Sequence, residues 1–441
     1  MVFSSSLRYH TPITIISIHM QYTKKTLKNG LRIITVPVKG NPTVSVMAFV
    51  ETGSNYETEK TNGLSHFLEH MFFKGTETRT LHDISESFDG IGAVNNAFTS
   101  EECTAYWAKA HYKHRNKLIE SIADMYLNST FPKEEIEKER GVIIEEINMY
   151  EDLPQRKVYD VLQHVMYGEQ PAGRPIIGPK TNIKNFSRKD FLSYRKKHYV
   201  AEKTIIVVAG KIDEKEVQKE VTQAFKDIPT HKGGTKKHIQ EKQTTPAVEI
   251  HKKKTDQTHF VLGFRAPDAK SKKGAATEML SAILGKGMSS RLFKKMRDEL
   301  GICYYVRAGF DASTDHGVFM ISAGVNNARF EEALTAIAGL ITEIKEEKVT
   351  EKELTKAKEY LLGSTALSLE SSDAWAQFYA FQEILEGKIK TLPDIIKEIK
   401  KVTADDIQKM AKEIFTPENT NLAVVGNVTK TKKIENILNN L

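Results

Sequence analysis

His66-Phe67-Leu68-Glu69-His70, within LSHFLEHMFFKGT (residues 64–76), is the stretch on which the reading of this chain turns. Positions i and i+4 of a helix share a face, so both imidazoles reach one metal ion at about 2.0–2.1 Å. Glu69 then lies beside that ion, where a carboxylate takes a proton from bound water. The flanks read as helix: Thr61 or Asn62 caps it, and Leu64, Phe67, Leu68, Met71 and Phe72 supply an apolar stripe. H-x-x-E-H is the inverted form of the zinc-protease pattern. A catalytic zinc takes three protein ligands and keeps one position open, so a third ligand has to come from elsewhere in the chain.

KEEIEKERGVIIEEINMY (residues 133–150) offers it. The segment reads as a helix rich in Glu and Lys, with Ile136, Val142, Ile143 and Ile147 apolar. Glu139 and Glu146 lie seven positions apart, about two turns, and face the same way. Glu135 and Glu145 are carboxylates on the same segment, and periodicity alone does not choose among the four.

HFLEHMFFKGT, followed 76 residues after His70 by Glu146 in ERGVIIEE, resembles the pitrilysin/insulysin family of zinc peptidases, in the branch of mitochondrial processing peptidase and its bacterial relatives. The resemblance runs from about residue 22 through nearly the whole chain. It implies that His66, His70 and Glu146 bind Zn2+, that Glu69 is the general base acting on zinc-bound water, and that Glu139 supports the site from one helical face away. It also implies that the strand containing Asn96, Ala97 and Phe98 is a sheet edge that receives substrate backbone, by main-chain pairing that demands no particular sequence. GKGMSSRLFKKMRDELGICYYVRAGF resembles the family's C-terminal segment, in which an Arg and a Tyr seven residues apart reach the active site; Arg297 and Tyr304 match. Such groups hold the oxyanion that forms as water attacks a peptide carbonyl.

The chain has 441 residues, 40% of them hydrophobic, enough for two to four domains with ample core. Its two cysteines, Cys103 and Cys303, imply no disulfide framework and suit a reducing compartment, here bacterial-type cytoplasm rather than an organellar matrix. The net charge of +7 comes from 64 basic residues spread among 57 acidic ones, not from a block, so Lys252–Lys254 reads as a solvated loop and no nucleic-acid partner is expected. No apolar run approaches the 18 or so residues of a membrane span.

Residues 1–21 contain no acid and one short apolar run, ITIISI, without the apolar length or cleavage site of a secretory signal; a disordered extension, or an upstream start with Met20 as the true beginning, is expected. From Tyr22 the chain alternates strand and helix. Asn29-Gly30 marks a turn between two strands, VSVMAFVETGS reads as a third, and LHDISESFDGIG as a helix closed by Gly90 and Gly92. AVNNAFTSEECTAYWAKAH reads as two strands joined by a polar turn. Long helices follow at about 111–129, 133–166 and 188–198, and TIIVVAG with EKEVQKEVTQAF closes a module over residues 22–228. Residues 229–246, rich in Gly, Lys, Thr and Pro, read as a linker, and residues 247–441 form a second module.

The second module repeats the first. YVAEKTIIVVAG and FTPENTNLAVVG end at Gly210 and Gly426, an offset of 216, and the helix carrying Glu139 and Glu146 corresponds to KELTKAKEYLLGST at about 218. His66, Glu69 and His70 then fall on or near Ala282, Gly285 and Lys286, and Glu139 and Glu146 on Ala357 and Ser364, so the second copy cannot bind zinc in this way. The expected fold is α+β: two homologous α/β modules, each an antiparallel-rich sheet with helices packed on one side, joined by a linker and forming half or all of a clamshell. The expected function is a zinc metalloendopeptidase that cuts peptides or unfolded polypeptides inside a closed chamber, as a homodimer or the active subunit of a heterodimer. A non-catalytic scaffold subunit of the same fold is the alternative, and a metal-storage module using the histidine pair a further one; the intact set of residues argues against both.

Overall fold

The computed structural model describes residues 21–441, so the expectation for residues 1–21 falls, but for Gln21, outside the described residues. The first half contains β1 (Thr23–Thr26), β2 (Arg32–Pro37), β3 (Thr43–Val50), α1 (Leu64–Met71), α2 (Leu81–Asp89), β4 (Val94–Thr99), β5 (Thr104–His111), α3 (Arg115–Asn128), α4 (Lys133–Asp152), α5 (Pro154–Tyr167), α6 (Lys180–Asn185), α7 (Arg188–His198), β6 (Thr204–Gly210) and α8 (Glu214–Ala224). The second contains β7 (Ala247–Lys252), β8 (Gln257–Ala266), α9 (Gly274–Gly285), a π-helical turn at Phe293–Glu299, β9 (Cys303–Ala312), β10 (Gly317–Asn326), α10 (Phe330–Glu346), α11 (Glu351–Ser368), α12 (Ser372–Leu385), α13 (Leu392–Lys401), α14 (Ala404–Ile414), β11 (Thr420–Gly426) and α15 (Lys432–Asn439).

The strands form two sheets, β1-β2-β6-β3-β5-β4 and β7-β11-β8-β10-β9. In each, one parallel pair (β2 with β6, β7 with β11) sits beside antiparallel ones. Apart from β1, every strand of the first sheet has a counterpart at the same place in the second, and α1, α3, α4 and α5 correspond to α9, α10, α11 and α12. Two α+β modules of one design are therefore present, as the repeat in the sequence implies.

Each sheet is apolar on both faces, and its own helices cover only one. In β3 and β6, Val44, Val46, Ala48, Ile206 and Val208 pack with α1, α3 and α7 of the same half. The alternate residues Met47, Phe49, Ile205 and Val207 point the other way and meet Trp375, Ala376 and Tyr379 of α12, which belongs to the second half. The second sheet mirrors this arrangement: Phe260, Leu262 and Leu422 meet its own helices, while Val261, Ala423 and Val425 meet Val158, Val161 and Leu162 of α5. The modules exchange one helix each. The uninterrupted apolar runs IIVVAG and NLAVVG follow from this, because strands buried on both faces need no polar alternation.

The expected single helix over 133–166 is two helices, and the break makes the exchange possible. Pro154 opens α5, and Leu153 before it is extended at φ −104°, ψ 92°, the conformation a following proline enforces. The chain turns there and carries α5 from its own module onto the other sheet. Polar contacts fasten the crossings: Ser45 to Ser372 at 2.8 Å, Lys109 to Asp373 at 2.6 Å, and His164 Nδ1 to Glu249 at 2.8 Å. Residues 229–246 hold neither helix nor strand, yet they are packed: Ile239 is buried, and Lys236 bridges Glu102 of the first half and Asp315 of the second.

Trp375→Ala tests this arrangement. Deleting a fully buried aromatic costs about 3–5 kcal/mol, and here the loss should also lower amide-exchange protection in β3 and β6, which lie in the other half of the sequence. Loss of protection confined to the second half would show that α12 is not the cover of the first sheet.

Candidate metal centre

α1 turns its apolar residues Leu64, Phe67, Leu68 and Met71 into the core, leaving His66, Glu69 and His70 on the half-buried opposite face. Its start is not capped by Thr61 or Asn62. Gly63 is the N-cap, at φ +97°, and a Cβ there would lie 2.7 Å from the Ile177 carbonyl oxygen, so only glycine fits. The free amides are taken by a distant carboxylate: Glu57 accepts from Gly63 N at 2.8 Å, Ser65 N at 2.6 Å and Asn62 Nδ2 at 3.1 Å. Burial pushes the Glu57 carboxyl up to about 7, against three hydrogen bonds that favour its charged form. Ser65 is also bonded to Tyr194 Oη at 2.7 Å. The helix that carries the motif is thus fixed at its first turn from two directions.

α4 lies across α1. Glu146 Oε2 is 3.7 Å from Nε2 of both His66 and His70, and one ligand atom from each of the three residues falls within 4.8 Å of the others. Two imidazole nitrogens and one carboxylate oxygen form a donor set suited to zinc, whose bonds to these atoms run about 2.0–2.2 Å. Against the effect of burial, the bond to Glu139 and the carboxylates of Glu69 and Glu146 raise the His70 imidazole above its ordinary value; the charge state of His66 agrees with ligation. Burial, with the neighbouring His70, pushes the His66 imidazole down to about 3, so it is neutral and can donate a lone pair.

Supporting contacts aim these three side chains. Glu139 Oε2 is 3.0 Å from His70 Nδ1, and its other oxygen is paired with Lys74. Burial works against the charge on Glu139, but the bonds from His70 and Lys74 hold its pKa below the ordinary value. Tyr150, one turn beyond Glu146, donates its hydroxyl to Glu146 Oε1 at 3.0 Å, leaving Oε2 to face the histidines. Glu69 is raised by burial, and Thr99 Oγ1 donates to its Oε2 at 2.7 Å. Glu57, Lys74, Thr99 and Tyr150 are the residues that the motif did not announce. Tyr150 is visible in the sequence as an i+4 neighbour of Glu146 and Lys74 as one of His70; Glu57 and Thr99 take their places only through the fold.

Asn96, Ala97 and Phe98 lie on β4, an edge strand paired only with β5. The turn bond Ser100 N to Cys103 O sets the pairing phase, which directs the N–H and C=O of Ala97 and Thr99 to the free edge. Asn96 Oδ1 accepts from Ala97 N at 2.9 Å and so covers one of those donors, while Phe98 stacks on Phe381 of α12. Arg297 and Tyr304 are not brought to the histidines. Arg297 Nη1 donates to the carbonyls of Cys303 and Tyr304 at 2.9 and 3.1 Å, its guanidinium lies 5.5 Å from the Tyr304 ring, and Tyr304 is 75% exposed on β9, the edge strand of the other sheet. Cys103 and Cys303 are buried free thiols.

In the second module the equivalent place is filled. Ala282 and Ala357 are buried on α9 and α11, and a Cβ at Gly285 would lie 2.0 Å from the Ala308 backbone nitrogen. Helix and sheet close up where α1 and α4 leave room for ligands.

Comparison with known proteins finds two family models that match the chain. Residues 32–180 match the family model described as insulinase, peptidase family M16, and residues 185–361 the model described as the peptidase M16 inactive domain. The chain is 36% identical over 404 residues to an uncharacterized zinc protease of Bacillus subtilis, covering 91% of this chain and 97% of that one. It is 34% identical to an uncharacterized zinc protease of Rickettsia felis, covering 91% and 96%. Among solved structures, a protease from Helicobacter pylori superposes with a TM-score of 0.88 at 24% identity, over 92% of this chain and 99% of that one. A peptidase M16 inactive domain from Pseudomonas fluorescens gives 0.86 at 17% identity, over 94% and 100%.

The two acidic residues of α4 should separate in metal analysis. Glu146→Gln should abolish stoichiometric zinc, whereas Glu139→Gln should weaken binding by about 10 to 100-fold, the usual effect of losing a ligand's supporting partner. The opposite ranking would reverse the two roles.

Proposed function

The chain belongs to the insulinase family of peptidases, family M16, and from that premise we propose that it is a zinc-dependent metalloendopeptidase acting on peptides and unfolded polypeptides. The observation that carries this reading is the approach of one Glu146 oxygen to Nε2 of both histidines at 3.7 Å. His66, His70 and Glu146 hold the metal. A zinc ion there supplies Lewis-acid polarisation of water and of the scissile carbonyl. Glu69 removes a proton from the attacking water through Oε1, the oxygen that Thr99 leaves free, and returns it to the leaving amide nitrogen. Its raised pKa brings it nearer to neutral pH, where a base can both accept and release a proton. Lys74 and Glu139 orient His70, and Tyr150 orients Glu146. Substrate backbone pairs with the free edge of β4 at Ala97 and Thr99, displacing the Asn96 side chain.

Arg297 and Tyr304 enter from a second copy of the chain. Exposed apolar residues support a homodimer with pseudo-twofold character. Val142 and Met149 on α4 flank Glu146, and the 218-residue offset takes them to Tyr360 and Leu367 on α11; all four are at least 44% exposed. The edge strands add Val94 and Tyr304. Each module thus presents a matching apolar patch on its helix and edge strand, and pairing the first module of one copy with the second of another covers both and encloses the site. One chain forms half of the clamshell. The reaction fits a reducing bacterial-type cytoplasm, where peptides and unfolded chains are available.

Glu69→Gln should keep its metal and lose about 10² to 10⁴-fold in peptide hydrolysis; retention of more than a tenth of the wild-type rate would remove Glu69 as the base. Complementation tests the dimer. Glu69→Gln and Tyr304→Phe chains, each impaired alone, should regain activity when mixed, because one of the two sites then combines an intact Glu69 with an intact Tyr304. If mixing restores nothing while mixed dimers form, the tyrosine does not act across the copies.

A further inference from the structure

The second module keeps its own copy of the hairpin that carries the candidate substrate strand. β9–β10 stands in the second sheet where β4–β5 stands in the first, and the turns of the two hairpins touch. They meet at Glu102 of the β4–β5 turn, which is 4% exposed. Its Oε2 accepts from the Thr314 backbone nitrogen and its Oε1 from the Thr314 hydroxyl, each at 2.9 Å, and Thr314 belongs to the β9–β10 turn. Lys236, from the segment between the modules, donates both to Glu102 and to Asp315. Asp315 accepts in addition from Ile239 N at 3.2 Å and lies 2.9 Å from His316 Nδ1. A buried carboxylate stripped of such donors is costly, so these contacts lock the two turns together.

Glu102 lies three positions after Thr99, whose hydroxyl donates to Glu69 at 2.7 Å. The turn between them is tight: Ser100 N donates to Cys103 O at 2.8 Å, and Ser100 Oγ accepts from Cys103 N at 3.1 Å. A displacement of Glu102 is therefore passed to Thr99. From Thr99 it reaches the candidate base, and also the N–H and C=O that this residue turns to the free edge of β4. The first half holds the same turn through its backbone, with Asn55 N donating to Glu101 O at 2.8 Å. The anchor on the Glu102 side chain comes from the second half and from the segment that joins the halves. A module without metal ligands is thus wired, by four residues, to the base of the other.

We propose that Thr314 and Lys236 are positioning residues for peptide hydrolysis: through Glu102 they hold the β4–β5 turn so that Thr99 stays on Glu69 and the edge of β4 keeps its place. The proposal rests on the peptidase reading above and gives the second module a part in the reaction within a single chain.

A double-mutant cycle on the full-length chain tests it, because residues that act through one another depart from additivity and independent ones do not. Thr314→Val removes one hydroxyl and leaves every charge in place. It should keep wild-type zinc content and lower kcat on a short fluorogenic peptide by about 3 to 10-fold, the range of one hydrogen bond, with KM changed less. Thr314→Ser, which keeps the hydroxyl, should retain the wild-type rate. Thr99→Val breaks the contact with Glu69, and in that background Thr314→Val should lower kcat no further. Lys236→Met should behave as Thr314→Val does; if it fails to fold, Thr314→Val decides. A wild-type kcat in Thr314→Val, or the same loss in both backgrounds, would overturn the proposal. If the wild-type chain cleaves no peptide, the peptidase reading falls and amide exchange decides instead. Residues 94–99 should then exchange faster in Thr314→Val and at the wild-type rate in Thr314→Ser, and unchanged exchange in Thr314→Val would overturn the positioning role as well.

Discussion

Each sheet of this chain is apolar on both faces, while its own helices cover one. Everything else in the architecture follows from how the second face is closed. α5 leaves the first module to lie on Val261, Ala423 and Val425, and α12 leaves the second to lie on Met47, Phe49 and Val207. Neither module can be sealed alone, so the two halves are one folding and mechanical unit. The uncovered area would be of the size that drives association, since fully burying a single large apolar side chain is worth about 1.5–3 kcal/mol.

The candidate metal centre inherits its rigidity from this. α4 runs straight into the Leu153-Pro154 corner at which α5 departs, so Glu146 sits two turns before a point anchored on the other sheet. α1 is held at its first turn by Glu57 and Tyr194. The two helices that carry the candidate ligands are fixed by different parts of the molecule, and the side chains between them need little rearrangement to meet a cation. The second module has the same pair of helices without the space: Gly285 lets α9 close against β9, and Ala282, Lys286 and Ser364 stand at or near the places of His66, His70 and Glu146. One design has been kept open on one side of the molecule and packed shut on the other.

Much of this was legible in the residues. The H-x-x-E-H spacing, the glutamates seven apart, the turn at Asn29-Gly30 and the offset between Gly210 and Gly426 are local or periodic signals, and they survive in the fold. The exchange of helices was not legible. Periodicity reports that α5 has an apolar face but not which sheet receives it, and it does not reveal the break at Pro154 because the apolar spacing continues on both sides of it. The cap is hidden for a similar reason: Thr61 and Asn62 have the right chemistry, but Glu57 reaches the free amides from outside the helix. Thr99 has no sequence relation to Glu69, nor Lys74 to Glu139, with which it pairs. Arg297 and Tyr304 match a spacing, yet in one chain they bond only to their own segment.

The central claim is that His66, His70 and Glu146 form one metal centre. Anomalous diffraction recorded above and below the zinc absorption edge on crystals of the full-length protein tests it directly. The account predicts one peak per chain, about 2.0–2.2 Å from Nε2 of each histidine and from a Glu146 carboxylate oxygen. Zinc-saturated crystals that show no peak there, or a peak on other residues with these three side chains left apart, would contradict it.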